Sequence, residues 1–201
     1  MGQIKEITLR RPAKPVDQTV HVPGSKSLTN RALVLAALAD GTSQLDHVLL
    51  ADDTRFMLDA LEVLGLAPRM DAQLRRVTIT GHGGRWPNAE GDIFCGNAGT
   101  VMRFLTAACC VGQGDYHLDG VPRMRSRPIG DLVNALRDLG ATISYAGEEG
   151  FCPLDIRARG LRGGMVRFER PPSSQFLSAI LMAAPRAASD VMIDVAGPLP
   201  S

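Results

Sequence analysis

One apolar pattern recurs three times at a fixed interval, and that recurrence constrains the fold more than any other feature. "NRALVLAALADGTSQLDHV" begins at Asn30, "MRFLTAACCVGQGDYHLDGV" at Met102 and "QFLSAILMAAPRAASDVMIDVAG" at Gln175. Arg31, Arg103 and Gln175 stand at equal steps of 72 residues. Each stretch starts with small and aliphatic residues at helical length. A Gly- or Ala-rich break follows, then a short alternating run that predicts a strand. Helices with no polar face must be buried. Three of them predict a central helical bundle, and their alanines permit close approach. The alternating strands then belong outside, in sheets with one face inward and one to water.

The first two stretches continue in parallel. "DDTRFMLDALEVLGLAPR" follows the first and "RPIGDLVNALRDLGATIS" the second, each reading as an amphipathic helix closed by Leu-Gly. Leu58, Leu61 and Leu64 carry one apolar stripe, and Leu132, Leu136 and Leu139 the other. Strand-like runs come next: "RRVTIT" and "GDIF", then "PLDIRA" and "GMVRFE". A period of roughly 72–77 residues exceeds the usual solenoid lengths. The expectation is an α/β chain built as a pseudo-threefold repeat of β-α-β-α-β-β units, helices inside and sheets outside. The third unit stops at Ser201, before its second helix, so the chain reads as a fragment of something longer.

Each buried helix is preceded by a polar, glycine- or proline-bearing mouth: Gly24-Ser25-Lys26-Ser27, Gly96-Asn97-Ala98-Gly99-Thr100 and Pro171-Pro172-Ser173-Ser174-Gln175. Helix N-termini present unpaired N–H groups and the positive end of the dipole. Glycine lets an anion reach that backbone, and hydroxyls add donors. Ordinary N-capping accounts for any single mouth. Three at equivalent positions, beside Lys26, Arg31 and Arg103, favour one polyanion site.

Composition removes several function classes. The 201 residues carry a net charge of +1, so no bulk field draws nucleic acid or an anionic membrane. Aromatics at 4 % leave little surface for stacking bases. No apolar run approaches the ~20 residues that span a bilayer. Met1 to Glu6 is charged at once and does not read as a signal peptide. Cys95, Cys109, Cys110 and Cys152 show no metal-ligand spacing, and His21, His47, His82 and His117 are scattered. No metal and no cofactor is expected, and free thiols suit a cytoplasmic protein.

The remaining candidates read as follows. GSKS is similar to the end of a phosphate-binding P-loop, but position 19 is Thr where that motif needs glycine. Arg123, Arg125 and Arg127 sit in the turn before an amphipathic helix. Arg127, beside Pro128, has the best-fixed position for clamping a phosphate or carboxylate. Asp52 and Asp53 open a helix and read as partners of its dipole. His47 and His117 read as structural, and "GHGGRWP" around Trp86 as a loop.

Taken in order, "PGSKSLTNRALVLAAL", "GNAGTVMRFLTA", "PRMRSRPIGDLVNALRDLGA" and "SSQFLSAILMAAP" resemble 5-enolpyruvylshikimate-3-phosphate synthase from Val20 to Ser201. The resemblance implies a protein about twice this length, with two domains of three such units each. Residues 1–19, with a strand around Ile4 to Leu9, would then belong with the second domain. Residues 20–201 would form the shikimate-phosphate-binding domain. The implied reaction moves the enolpyruvyl group of phosphoenolpyruvate to the 5-hydroxyl of shikimate 3-phosphate and releases phosphate.

By the same resemblance Lys26 lies between the two substrates. Ser27 and Arg31 match residues that hold the shikimate moiety, and Ser173, Ser174 and Ser201 those around its 3-phosphate. Gln175 is shared by both ligands. Asn97, Gly99 and Arg127 match the phosphoenolpyruvate side, where the inhibitor glyphosate also binds. The principal acid/base carboxylates and a further lysine come from the other half, so this chain alone is expected to turn over little. Related enzymes often carry proline where this chain has Phe104. That departure leaves the phosphoenolpyruvate pocket and glyphosate sensitivity open. Two rival readings remain. One is the sister enolpyruvyl transferase for a UDP-aminosugar, which uses a loop cysteine. The other is a non-catalytic anion-binding module.

Overall fold

The computed structural model describes residues 8–20, 22–169, 171 and 173–197. Its elements are α1 (Lys26–Leu38), β1 (Asp40–Leu45), α2 (Asp52–Val63), β2 (Arg69–Asp71), β3 (Arg76–His82), β4 (Glu90–Phe94), α3 (Gly99–Val111), β5 (Gln113–Asp119), α4 (Pro122–Arg125), α5 (Gly130–Asp138), β6 (Thr142–Tyr145), β7 (Leu154–Arg159), β8 (Gly164–Phe168), α6 (Ser174–Ala183) and β9 (Val191–Val195).

The three helices without a polar face, α1, α3 and α6, contact one another at the centre. In α3 every residue from Gly99 to Cys110 is buried. Leu33, Phe104, Leu105, Phe176 and Ile180 are fully buried, and small Ala36, Ala37, Ala107, Ala108, Ala179 and Ala183 pack among them. Burying large side chains in this way is worth about 1.5–3 kcal/mol each. The amphipathic helices lie outside this bundle. α2 touches α1 and α3, while α5 touches α3 and α6. Their Leu stripes face in and their charges face water. Leu64-Gly65 ends α2 through a left-handed glycine at φ +88°, and the Leu66 N–H then reaches back to the Leu61 carbonyl.

Three sheets cover the helices, in the orders β1-β3-β2, β4-β5-β7-β6 and β8-β9. The pairs β4/β5 and β8/β9 are parallel, and the rest are antiparallel. A parallel pair needs a long crossover; α3 supplies it for β4/β5 and α6 for β8/β9. β7 alternates buried and exposed strictly along Leu154–Arg159, which leaves one wet face.

Several elements depart from the sequence reading. The strands β2 and β6 and the four-residue helix α4 were not foreseen, being too short for a periodic signal. The strand expected from Ile4 to Leu9 lies largely outside the described residues, and Thr8 and Leu9 form no strand. The stretch around Trp86 is the loop expected, from Gly83 to Ala89, but its tryptophan points inward. Trp86 is buried against Gly112, where a Cβ would collide with the indole. No helix among the described residues is long and apolar enough to cross a membrane.

Candidate functional site

The N-terminal ends of the central helices meet at one cavity of about 470 Å3. It is lined by Lys26, Ser27, Asp52, Asp53, Phe56, Asn97, Gly99, Thr100, Arg127 and Gln175. Residues from all three mouths therefore reach one space. A second, more open depression of about 710 Å3 lies over β4, β5 and β7. Glu90, Asp92, Asp115 and Asp155 line it together with His117, Arg157 and Arg159, and no helix N-terminus among the described residues opens into it.

The three mouths differ in detail. Ser25 caps α1 by accepting from the Leu28 N–H, and Ser173 caps α6 by accepting from the Gln175 N–H. At α3 the cap is Ala98, with no side-chain bond to the first turn. The middle mouth thus keeps its N–H groups free of a side-chain cap, as an anion site requires. Gly99 is needed there for a second reason. A Cβ on it would meet the Arg127 guanidinium at 2.6 Å. Arg127 also donates to the Asn97 carbonyl at 3.3 Å, so the glycine loop and the arginine are held together.

Lys26 makes a 3.0 Å ion pair with Asp53 across the cavity. The two carboxylates at the start of α2 were read as dipole partners only. Both do sit in its first turn, but Asp53 also anchors the lysine. This could not be seen in the sequence because α1 and α2 are brought together only by packing.

Arg31 donates to the Ser27 carbonyl at 3.1 Å, to the Ser27 hydroxyl and to the Ser178 hydroxyl at 3.0 Å, joining α1 to α6. Arg103, only 8 % exposed, donates to Gln175 Oε1 at 2.8 Å and more weakly to Ser173 Oγ at 3.5 Å. Burial pulls the Arg103 guanidinium down to about 10, with the like charge of Arg127 adding to the effect. It remains charged at neutral pH. Asn30 is fully buried in α1 and donates to Thr100 Oγ1 at 2.8 Å, tying the first mouth to the second.

Of the residues read from the sequence, Lys26, Ser27, Asn97, Gly99, Arg127 and Gln175 line the cavity. Arg31 and Ser173 reach it through their bonds to Ser27 and Gln175. Ser174 begins α6, and its carbonyl accepts from Ser178. Ser201 lies outside the described residues. Asp53, Phe56 and Ser178 were missed. None carries a local motif, and each is placed by a contact between helices.

Cys109 and Cys110 are buried within α3, and burial pushes both thiols far up. Neither is an accessible loop cysteine.

The comparisons with known proteins point to one family. The family model for EPSP synthase (3-phosphoshikimate 1-carboxyvinyltransferase) matches residues 10–201. A 3-phosphoshikimate 1-carboxyvinyltransferase of Sulfurovum sp. (strain NBC37-1) is 50 % identical over 199 residues, covering 98 % of this chain and 46 % of the relative. Its counterpart in Shewanella pealeana is 50 % identical over 191 residues, covering 94 % of this chain and 45 % of the relative. The solved EPSP synthase from Acinetobacter baumannii superposes with a TM-score of 0.80 at 28 % identity. That match covers 90 % of this chain and 41 % of the solved one. The chain thus spans just under half the length of the relatives it matches. With a family model spanning nearly all of it and relatives at half identity, this chain belongs to the EPSP synthase family.

Proposed function

We propose that this chain forms one wall of an enolpyruvyl transferase site that takes shikimate 3-phosphate and phosphoenolpyruvate. The single observation that carries the reading is the convergence of Lys26, Asn97, Gly99, Arg127 and Gln175, from separate segments, on one cavity. The three central helices and their sheets are then copies of one β-α-β-α-β-β unit about a common axis. Residues 20–201 are the shikimate-phosphate-binding domain, and residues 1–19 belong with a second one.

Both substrates are anions, and the cavity offers the means to hold two. Asn97, Gly99 and Arg127 receive phosphoenolpyruvate, with the uncapped first turn of α3 supplying N–H donors. Ser27 and Arg31 receive the shikimate ring, and Ser173, Ser174 and Ser201 its 3-phosphate. Gln175 lies between the ligands and is oriented by Arg103. Lys26 faces both. Glyphosate, an anion of about the same size as phosphoenolpyruvate, competes on that side.

In the reaction the 5-hydroxyl oxygen bonds to C2 of phosphoenolpyruvate while C3 gains a proton. The tetrahedral adduct then loses phosphate and a C3 proton. Lys26 is placed to exchange a proton with the hydroxyl or the departing phosphate. The cavity-lining carboxylates are Asp52 and Asp53, and Asp53 is engaged by Lys26. The resemblance to EPSP synthase implies that the C3 proton transfers fall to carboxylates in the part of such a protein that this chain does not span. Closure of that part over the cavity would also keep water from the adduct.

The test is phosphate release from the two substrates. The chain alone is expected to show little. The chain mixed with the remaining part of the Sulfurovum relative is expected to release phosphate. Lys26→Ala should abolish that release while the circular dichroism spectrum persists. Wild-type release by Lys26→Ala, or none from the reconstituted protein, would refute the assignment.

A further inference from the structure

We propose that Phe104 is a positioning residue for Arg31, an aromatic seat that holds the guanidinium in place without neutralising it. The inference rests on the reading of the cavity as a site for phosphorylated anions.

The Arg31 guanidinium carbon lies 5.0 Å from the centre of the Phe104 ring, and that of Arg103 lies 4.9 Å from the Phe176 ring. Both distances fall within the range in which a ring's negative face attracts a cation. Each arginine sits on one central helix and each ring on the next: α1 over α3, then α3 over α6. Both rings are fully buried and cannot turn away.

What each guanidinium lacks is equally informative. The hydrogen bonds of Arg31 go to Ser27 and Ser178, and those of Arg103 to Ser173 and Gln175, all neutral acceptors. Neither arginine forms a salt bridge among the described residues. Arg76, Arg125, Arg159 and Arg167, by contrast, all pair with carboxylates. A carboxylate would fix the guanidinium as firmly but would cancel the charge a ligand needs. A ring and two hydroxyls fix it and leave that charge available. Arg137 over Tyr145 shows that the contact also occurs away from the cavity. There the partners are close in sequence, and the arginine bonds the Ile143 carbonyl.

The sequence contains its own control. Arg31, Arg103 and Gln175 are spaced 72 apart, and so are Ala32, Phe104 and Phe176. Going round the bundle, Arg31 faces Phe104 and Arg103 faces Phe176. The remaining combination is Gln175 with Ala32. Where the charge is missing, the ring is missing too.

Mono-, di- and trifluorinated phenylalanine at position 104 weaken the ring's negative face stepwise at nearly constant volume. Calorimetric titration of shikimate 3-phosphate into the chain should show affinity falling in matching steps, to about tenfold by the last. The Arg31 Nε–H resonance should show a ring-current shift in the wild type that Phe104→Leu abolishes. Should Phe104→Leu not fold, the fluorinated series is read through the same resonance. Flat affinity across the series, or an Arg31 resonance without a ring-current shift, overturns the proposal. If the wild type binds no shikimate 3-phosphate, the reading of the cavity fails instead, and the resonance alone decides whether the seat exists.

Discussion

Lys26 has to meet an incoming anion, yet be held still before one arrives. Asp53 at 3.0 Å does the holding, on a side chain 23 % exposed. A partly exposed pair contributes little to stability, about 1 kcal/mol at most. Asp53→Asn should therefore leave the melting temperature nearly unchanged. It removes a carboxylate that competes with ligand for the lysine, so first-anion affinity should rise about threefold. Turnover in the reconstituted enzyme should fall, because Lys26 loses its fixed position. If titration and turnover both match wild type, Asp53 serves the α2 dipole alone. Gly99→Ala tests the neighbouring mouth. Its Cβ would meet Arg127 at 2.6 Å, so the guanidinium must swing aside. Phosphoenolpyruvate affinity should drop at least tenfold while the helix content is kept. An unchanged affinity would remove Arg127 from the site.

Among the elements, α4 and the turn after it decide where Arg127 points. Arg125 donates twice to Asp119, which fastens this turn to the end of β5. The hydrogen bond from Arg125 outweighs desolvation and holds the Asp119 carboxyl below its usual 3.8. A depressed carboxyl stabilises the fold fully above its unfolded value. That contribution is lost as pH falls through the lower folded value. Wild type should thus lose stability more steeply than Asp119→Asn as pH falls below the usual 3.8, measured as melting temperature against pH. Parallel curves would show that the pair does not bear on stability. The sequence made the helices legible to this level. The continuous apolar runs of α1 and α3 and the amphipathic stripe of α5 announce themselves, as does the Leu-Gly stop of α2. The short pieces do not. β2 has three residues and α4 four, lengths at which tertiary contacts rather than local preference choose the conformation.

At the scale of the molecule, α3 is the axis, contacting α1, α2, α5 and α6 together with β5 and β7. Leu105 in its middle is fully buried, whereas Leu74 is 57 % exposed. Leu105→Ala should cost about 2–5 kcal/mol, and Leu74→Ala under about 0.5 kcal/mol. Urea unfolding would show this as a shifted midpoint at constant slope; equal midpoints would displace α3 from the centre. The sequence by itself marked α3 as buried, since a segment without a polar face has nowhere else to go; α1 and α6, read the same way, bury one side and leave Leu28, Leu35 and Leu181 exposed. It also determined the polar, glycine-bearing mouths, because those residue types suit anions through the backbone chemistry of any helix start. Only the tertiary structure decided that Asp53 meets Lys26, that Ser178 reaches Arg31, and that two arginines lie on the rings of the next helix. Those pairings join residues from 27 to 147 positions apart. Contacts between helices are set by packing angle and register, which no local pattern encodes.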